Sequence, residues 1–149
     1  MLLTGTYSRA IDEKLRIAIP KPLREALGSL AKKALYVAPG TDGSLAIYTE
    51  DALAQLANRL AQASPNAHDV RAFSRLFYAR AQVVELDGQG RLRIPQDLAV
   101  LAGLGKEAVL VGVQDHLELW ERRRWEQYVA QRQSQFDQIA EAAFDRPVS

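Results

Sequence analysis

The 149-residue chain contains no cysteine, which excludes disulfides and thiolate metal sites from the outset. It has only two histidines, His68 and His116, too few without thiolates to build a metal centre, and both are expected to be solvated. No apolar run approaches the length of a bilayer span, and residues 1–7 show neither the charged nor the apolar region of a secretion signal. A cytoplasmic location is the resulting expectation. Charge of one sign is also missing: the net charge is +1, so an anionic partner has to be met by local placement of cations rather than by a basic surface. What remains is an ordinary globular composition, 48% hydrophobic and 25% charged, long enough to bury a core in one domain or two closely packed small ones.

The chain does contain a repeat. Ile11-Asp12-Glu13-Lys14-Leu15-Arg16-Ile17-Ala18-Ile19-Pro20 returns as Leu86-Asp87-Gly88-Gln89-Gly90-Arg91-Leu92-Arg93-Ile94-Pro95, with 75 residues separating the Asp, Arg and Pro pairs alike. Each copy joins a turn to a strand. Asp87-Gly88-Gln89-Gly90 is rich in residues that accept positive φ or bond their own backbone. In the following alternation Leu92 and Ile94 face inward and Arg91 and Arg93 outward, as Ile17 and Ile19 oppose Arg16 in the first copy. Pro then ends the strand and opens a short helix.

The likeness continues beyond the motif. Leu23 answers Leu98 and Gly28 answers Gly103 at the same spacing, while 34–37 matches 108–111 at 74 and 45–48 matches 117–120 at 72. The shrinking offset places small deletions in the loops of the second copy. In chain order, the pattern predicts a strand over 3–10, a short helix over 20–27, and a hairpin of 35–39 and 45–48. A helix capped by Thr49 follows, with Leu53, Leu56 and Leu60 on one face. After a break at 63–66, a second helix is expected over 66–78, carrying Val70, Phe73 and Phe77. A strand over 82–86, a helix over 96–102 and a hairpin of 109–113 and 117–120, with Asp115-His116 at its tip, repeat the plan. One long helix from Arg122 then carries Trp125, Val129, Phe136, Ile139 and Ala143, and 145–149 form a frayed tail.

The run from Arg71 through Phe73, Arg75, Phe77 and Ala79 to Gln89-Gly90-Arg91-Leu92-Arg93-Ile94-Pro95, then Ala102-Gly103-Leu104, Leu117-Glu118-Leu119-Trp120 and Trp125, resembles the MraZ family. These are bacterial transcription regulators with tandem swapped-hairpin domains of the AbrB/SpoVT type. The resemblance covers nearly the whole chain to about Phe136. It implies an α+β fold in which each unit supplies half of an intertwined, double-psi-like β-barrel with peripheral helices, so that one chain is a pseudo-dimer. The units are 1–63 and 82–149, the second with an extended C-terminal helix, and a helix at 64–81 links them. The resemblance further implies a homo-oligomeric ring that binds double-stranded DNA at promoter repeats of the division and cell-wall gene cluster, as a nucleoid-associated repressor. Family DNA contacts map to the Asp-x-x-x-Arg motif, hence to Arg16 with Lys14, and to Arg91 and Arg93. Arg9, in the basic stretch 9–24, joins them as a candidate, with Asp12 and Asp87 as salt-bridge partners. No catalytic residue, metal, cofactor or membrane partner is expected.

One residue departs from the family pattern. Many members carry Gly where this chain has Leu15, and if the turn needs positive φ there, Leu meets a steric cost that Gly avoids. The first turn is therefore expected to differ in shape from the second.

Other readings of the same residues are weaker. An aspartic-protease dyad of Asp12 and Asp87 would need Ser or Thr and then Gly after each Asp, and an Arg beside each keeps both ionised where that chemistry shares one proton. Gly88-x-Gly90 lacks the third glycine and the strand-to-helix setting of a dinucleotide site. Arg122-Arg123-Arg124 opens a helix beside Glu118, Glu121 and Glu126 and reads as a solvated, self-paired face. Trp120 and Trp125 suit a core or interface. The alternative function is an AbrB-type antitoxin or protein-interaction module that holds a partner through the C-terminal helix, on the apolar stripe Trp125, Val129, Phe136 and Ile139.

Overall fold

The computed structural model describes residues 1–145, so of the expected tail only Asp145 lies within the described residues. The first unit runs β1 (Thr6–Ala10), β2 (Arg16–Ala18), α1 (Lys21–Leu27), β3 (Leu35–Pro39), β4 (Leu45–Thr49) and α2 (Glu50–Ala61). After α3 (His68–Tyr78), the order returns as β5 (Gln82–Val84), β6 (Arg91–Arg93), α4 (Gln96–Leu101), β7 (Glu107–Val113), β8 (His116–Glu121) and α5 (Arg122–Arg132), with α6 (Phe136–Phe144) beyond.

The two units are laced together by strand exchange. Six strands form one antiparallel sheet in the order β1-β7-β8-β4-β3-β5, and β2 pairs with β6 in a separate two-stranded ribbon. Exchanging the two units simply reverses that order, so a pseudo-two-fold axis passes between β8 and β4. The first strand of each unit lies against the hairpin of the other, β1 on β7 and β5 on β3. In the ribbon the axis falls on the pair Ile17↔Leu92, flanked by Arg16↔Arg93 and Ala18↔Arg91. Ile17 and Leu92 are fully buried, and with Ile19, Ile94, Leu23 and Leu98 they close the core against Leu35, Val37, Leu110, Leu117 and Leu119 of the sheet.

Register corrects one spacing read from the sequence. Leu35 and Val37 share their inward face and their sheet partners with Ala108 and Leu110, an offset of 73 rather than 74. With a side-chain period of two, that single residue reverses the faces. Val109 and Val111 thus lie on the outer face of the sheet with Trp120, covered by Trp125 and Tyr128 of α5. On the first unit's side of that face, Phe77 of α3 meets Tyr48 edge to face at 6.2 Å.

Element boundaries follow local chemistry. Thr49 caps α2 as expected, its hydroxyl accepting from the Ala52 N–H at 3.2 Å. Pro20 and Pro95 occupy the N-cap positions of α1 and α4. The strand expected over 3–10 begins only at Thr6, with Leu3 held by an isolated bridge to Gln114, and that expected over 82–86 ends at Val84. The helix expected over 66–78 starts at His68. The long C-terminal helix is two helices, because a tighter turn over Gln133–Gln135 separates α5 from α6. No helix among the described residues is long and apolar enough to cross a membrane.

The packing of Ile17 on Leu92 yields a stability prediction. Ile17→Ala and Leu92→Ala should each destabilise the chain by about 2–5 kcal/mol, as large-to-small changes in a closed core do. The double variant should fall short of the sum by about 0.5 kcal/mol or more, because both deletions open one shared void. Denaturant unfolding of the four proteins checks this; strict additivity would mean that the two side chains do not share a cavity.

Candidate nucleic-acid interface

Both repeat motifs fold into the same turn. Asp12 N–H donates to the Arg16 carbonyl at 3.1 Å and Asp87 N–H to that of Arg91 at 2.9 Å, and the N–H groups of Leu15 and Gly90 close back on Asp12 and Asp87. Leu15 has φ +59° and Gly90 φ +74°. The expectation of a differently shaped first turn is thus overturned: Leu15 adopts the left-handed conformation, at a cost of roughly 1–2 kcal/mol. Packing offsets it. The Leu15 side chain rests against the core and shares a groove with Ala99. In the symmetry-related place Gly90 leaves room for Arg24, whose guanidinium would sit 2.8 Å from a Cβ at that position. Leu15 with Ala99, and Gly90 with Arg24, are therefore one large and one small residue exchanged across the pseudo-two-fold.

The carboxylates organise these turns and aim the arginines. One oxygen of Asp12 accepts the backbone N–H groups of Lys14 and Arg16 at 2.9 and 2.8 Å, and the other accepts Arg16 Nε at 2.7 Å. Asp87 repeats the set with Gln89, Arg91 and Arg91 Nε at 2.9, 2.9 and 2.8 Å. Because Nε is the bonded atom in each pair, the terminal guanidinium nitrogens stay clear of the Asp. The side chains of Arg16 and Arg91 keep 31% and 28% of their exposure. Each carboxyl is held below its ordinary pKa, first by the arginine's backbone N–H, then by its guanidinium and the N–H two residues after the Asp. That is opposite to what a proton-sharing dyad requires.

The ribbon collects most of the candidates on one face. Ile17 and Leu92 point inward, so Arg16, Arg91 and Arg93 share the outer face, with Ala18 at the fourth corner, where symmetry would repeat Arg93. Lys14 and Arg93 line one groove of about 690 Å³ together with Glu13, Gln82 and Gln96. Neither has an ion-pair partner among the described residues. Arg9 is not brought to this face: it lies on β1 in the larger sheet, its guanidinium 5.9 Å from the Tyr7 ring and 2.8 Å from the Ser8 carbonyl. The sequence counts Arg24 among the cations of the stretch 9–24 but gives it no place in the site. Its Nε donates to the Ile19 carbonyl at 3.0 Å, so it lies over the second turn although it belongs to the first unit.

One further expectation changes. His116 is not a solvated tip residue but part of β8, half-buried and stacked on Tyr48 at 5.0 Å; the tip is Gln114-Asp115, with Gln114 at φ +66°. The Glu118 carboxylate, 3.8 Å from Nε2, and Asp115, 2.7 Å from Nδ1, raise the His116 pKa, and Glu118 is lowered in return. In the triple-arginine run, Arg122 pairs with Glu107 and Glu126, and Arg124 donates to the Gly43 carbonyl at 3.0 Å, so both are occupied within the protein.

Comparison with known proteins agrees with this two-unit plan. The family described as "MraZ protein, putative antitoxin-like" matches the chain twice, over residues 2–76 and 77–147. The chain is 39% identical to the protein named transcriptional regulator MraZ from Alkaliphilus oremlandii, across 93% of this chain and 94% of that one. It is 38% identical to the protein of the same name from Ligilactobacillus salivarius, across 97% and 98% of the two chains. For the one from Moorella thermoacetica the identity is 36%, again across 97% and 98%.

The pKa directions set the pH response. A depressed carboxylate contributes stability above its unfolded value, near 3.9 for Asp, and loses it as pH falls through the lower folded value. The Asp12–Arg16 and Asp87–Arg91 bonds should therefore persist through the ordinary carboxylate range and release only below it. A raised His116 contributes fully below about 6.5 and loses its contribution as pH rises through the higher folded value. Melting temperature should thus decline modestly as pH rises above about 6.5, and His116→Ala should flatten that decline. An unaltered slope in the variant would remove His116 from the account, and NMR titration of the Asp side chains checks the acid limb.

Proposed function

The chain belongs to the MraZ family, and on that premise we propose that it regulates transcription by binding double-stranded DNA through the outer face of the β2–β6 ribbon. The observation that carries this reading is the pair of congruent turns, each holding an arginine by Nε and leaving its outer nitrogens without a hydrogen-bond partner among the described residues. A guanidinium fixed in this way has already lost rotamer freedom, and its planar fork suits a phosphate or the O6/N7 edge of guanine. Arg16 and Arg91 are the principal contacts. Lys14 and Arg93 extend them along the backbone, Arg24 supports the second turn, and Arg9 has at most a peripheral phosphate contact.

The strand exchange supports reading each unit, 1–63 and 82–149 with 64–81 between them, as half of a swapped-hairpin barrel of the double-psi type. The cations of one chain are few and partly neutralised by Asp12, Glu13 and Asp87, so single-copy affinity is low. A homo-oligomeric ring that meets promoter repeats at matching spacing multiplies it, since linking weak sites strengthens binding on the order of 100- to 10,000-fold without new chemistry. In this reading the protein is a nucleoid-associated repressor of the division and cell-wall gene cluster. The antitoxin alternative draws on one observation, the exposed apolar residues of α6; a foreign protein co-purifying in stoichiometric amount would favour it.

The test is fluorescence anisotropy on DNA from upstream of the chain's own gene, at several salt concentrations. Arg16→Ala and Arg91→Ala should each weaken binding and lower the log–log salt slope by about 0.9 for every phosphate no longer neutralised. Ala18→Arg, which completes the fourth corner, should strengthen binding and steepen the slope. Wild-type affinity and slope in both alanine variants would overturn the reading.

A further inference from the structure

Two surfaces outside the ribbon are left uncovered within a single chain. The first is α6. It has no buried residue, and Phe136, Ile139, Ala140, Ala143 and Phe144 recur at the spacing of one helical face. Phe136, Ile139 and Phe144 are 63%, 43% and 90% exposed. One edge of that stripe is acidic, because Asp137 and Glu141 lie one turn apart beside it, and α6 carries no cation.

The second surface is a groove of about 400 Å³ between α2 and α3. Its floor is apolar, with Leu60, Ala61, Val70 and Tyr78 among its lining residues. Its only charged lining residues are Arg71 and Arg75, one turn apart on α3. Arg71 donates to the Asn66 carbonyl at 2.7 Å, and among the described residues neither arginine has an ion-pair partner, nor has Asp137 or Glu141. An apolar helix face edged by two carboxylates one turn apart thus matches an apolar trough edged by two guanidiniums at the same spacing.

We propose that α6 of one copy docks in the α2–α3 groove of a second copy, with Asp137 and Glu141 against Arg71 and Arg75. The proposal rests on the reading of the protein as self-assembling and assigns the surfaces that do it. The charge match selects a second copy as the occupant, because the acidic helix and the basic groove are carried by the same chain. Every copy offers one helix and one groove, so the contact is head-to-tail. Such a contact closes into a ring when its rotation permits. Breaking α5 from α6 at Gln133–Gln135 serves this arrangement: α5 stays on its own sheet through Trp125 and Tyr128, and α6 is free to reach out.

Charge inversion tests the contact. Arg71→Glu/Arg75→Glu and Asp137→Arg/Glu141→Arg are purified separately and followed by sedimentation velocity beside the wild type, alone and mixed in equal amounts. Each variant alone meets like charge at the contact and should assemble about 10- to 100-fold more weakly. In the mixture each variant's helix faces the other's groove with opposite charges, so assembly should return, which misfolded variants could not achieve. Variants that assemble like the wild type, or a mixture that does not recover, would overturn the contact while leaving self-assembly intact. A wild-type chain that sediments as a monomer would overturn both, and in that case a different protein bound in stoichiometric amount would identify a heterologous occupant.

Discussion

The pairing of Ile17 with Leu92 is the constraint on which the rest of the molecule depends. It places one residue of each unit at the pseudo-two-fold, both fully buried, and so fixes the register of a ribbon only three residues long per strand. A ribbon that short has little ladder energy of its own. What holds it is the core beneath it, and a slip by one residue would bring Arg16 or Arg91 inward with no partner there for its charge. Hydrogen bonds from Ile94 N–H to the Leu15 carbonyl and from Ile19 N–H to the Gly90 carbonyl extend the pairing into both turns. Hydrophobic burial on one face therefore decides where the guanidiniums stand on the other.

The turns show how duplicated units drift apart without losing their shape. Each is defined by an Asp that accepts two backbone N–H groups and one Arg Nε, and those bonds do not depend on which residue takes the left-handed position. Leu15 occupies that position because its side chain gains apolar cover beside Ala99, whereas Gly90 does so where Arg24 crosses the turn. Putting a long residue at both places would crowd the groove, and putting a small one at both would leave it open. The exchange is thus a packing solution, and as a by-product it lends the second turn a cation from the first unit.

Much of this was legible in the sequence, for identifiable reasons. The repeat, the Asp–Arg pairs, the inward alternation at Ile17 and Leu92 and the Thr49 cap are all written in local spacing, and local spacing is what the structure preserves. Three features were not local. The 74-residue match of 108–111 to 34–37 aligned apolar residues with apolar residues, yet β7 is apolar on both faces, because Trp125 and Tyr128 cover its outer side. A strand buried on both faces carries no alternation by which to set its phase. His116 reads as a tip residue because nothing local marks Gln114-Asp115 as a two-residue turn, and its burial depends on Tyr48 of the other unit. Arg24 reads in the sequence only as one cation of the stretch 9–24, because its role exists only relative to Gly90, 66 residues away.

The departures from symmetry matter as much as the symmetry. The skeleton of the ribbon is two-fold, but its outer face is not: Lys14 answers Gln89, and Ala18 stands where the other unit has Arg93. A pseudo-dimer with identical halves would present the same charges in either orientation and would suit inverted repeats. Concentrating Lys14, Arg16 and Arg93 around the first turn, against Arg91 and Arg24 around the second, gives the face a direction. In the proposed head-to-tail assembly that direction would repeat in every copy, and DNA engaged by several copies would meet the same polarity each time. The strength of each contact is small because its charges are exposed and partly screened. On the proposed mode of binding, discrimination would then come from fixed orientation multiplied by number, the first set by how the chain pairs with itself and the second by how it pairs with its copies.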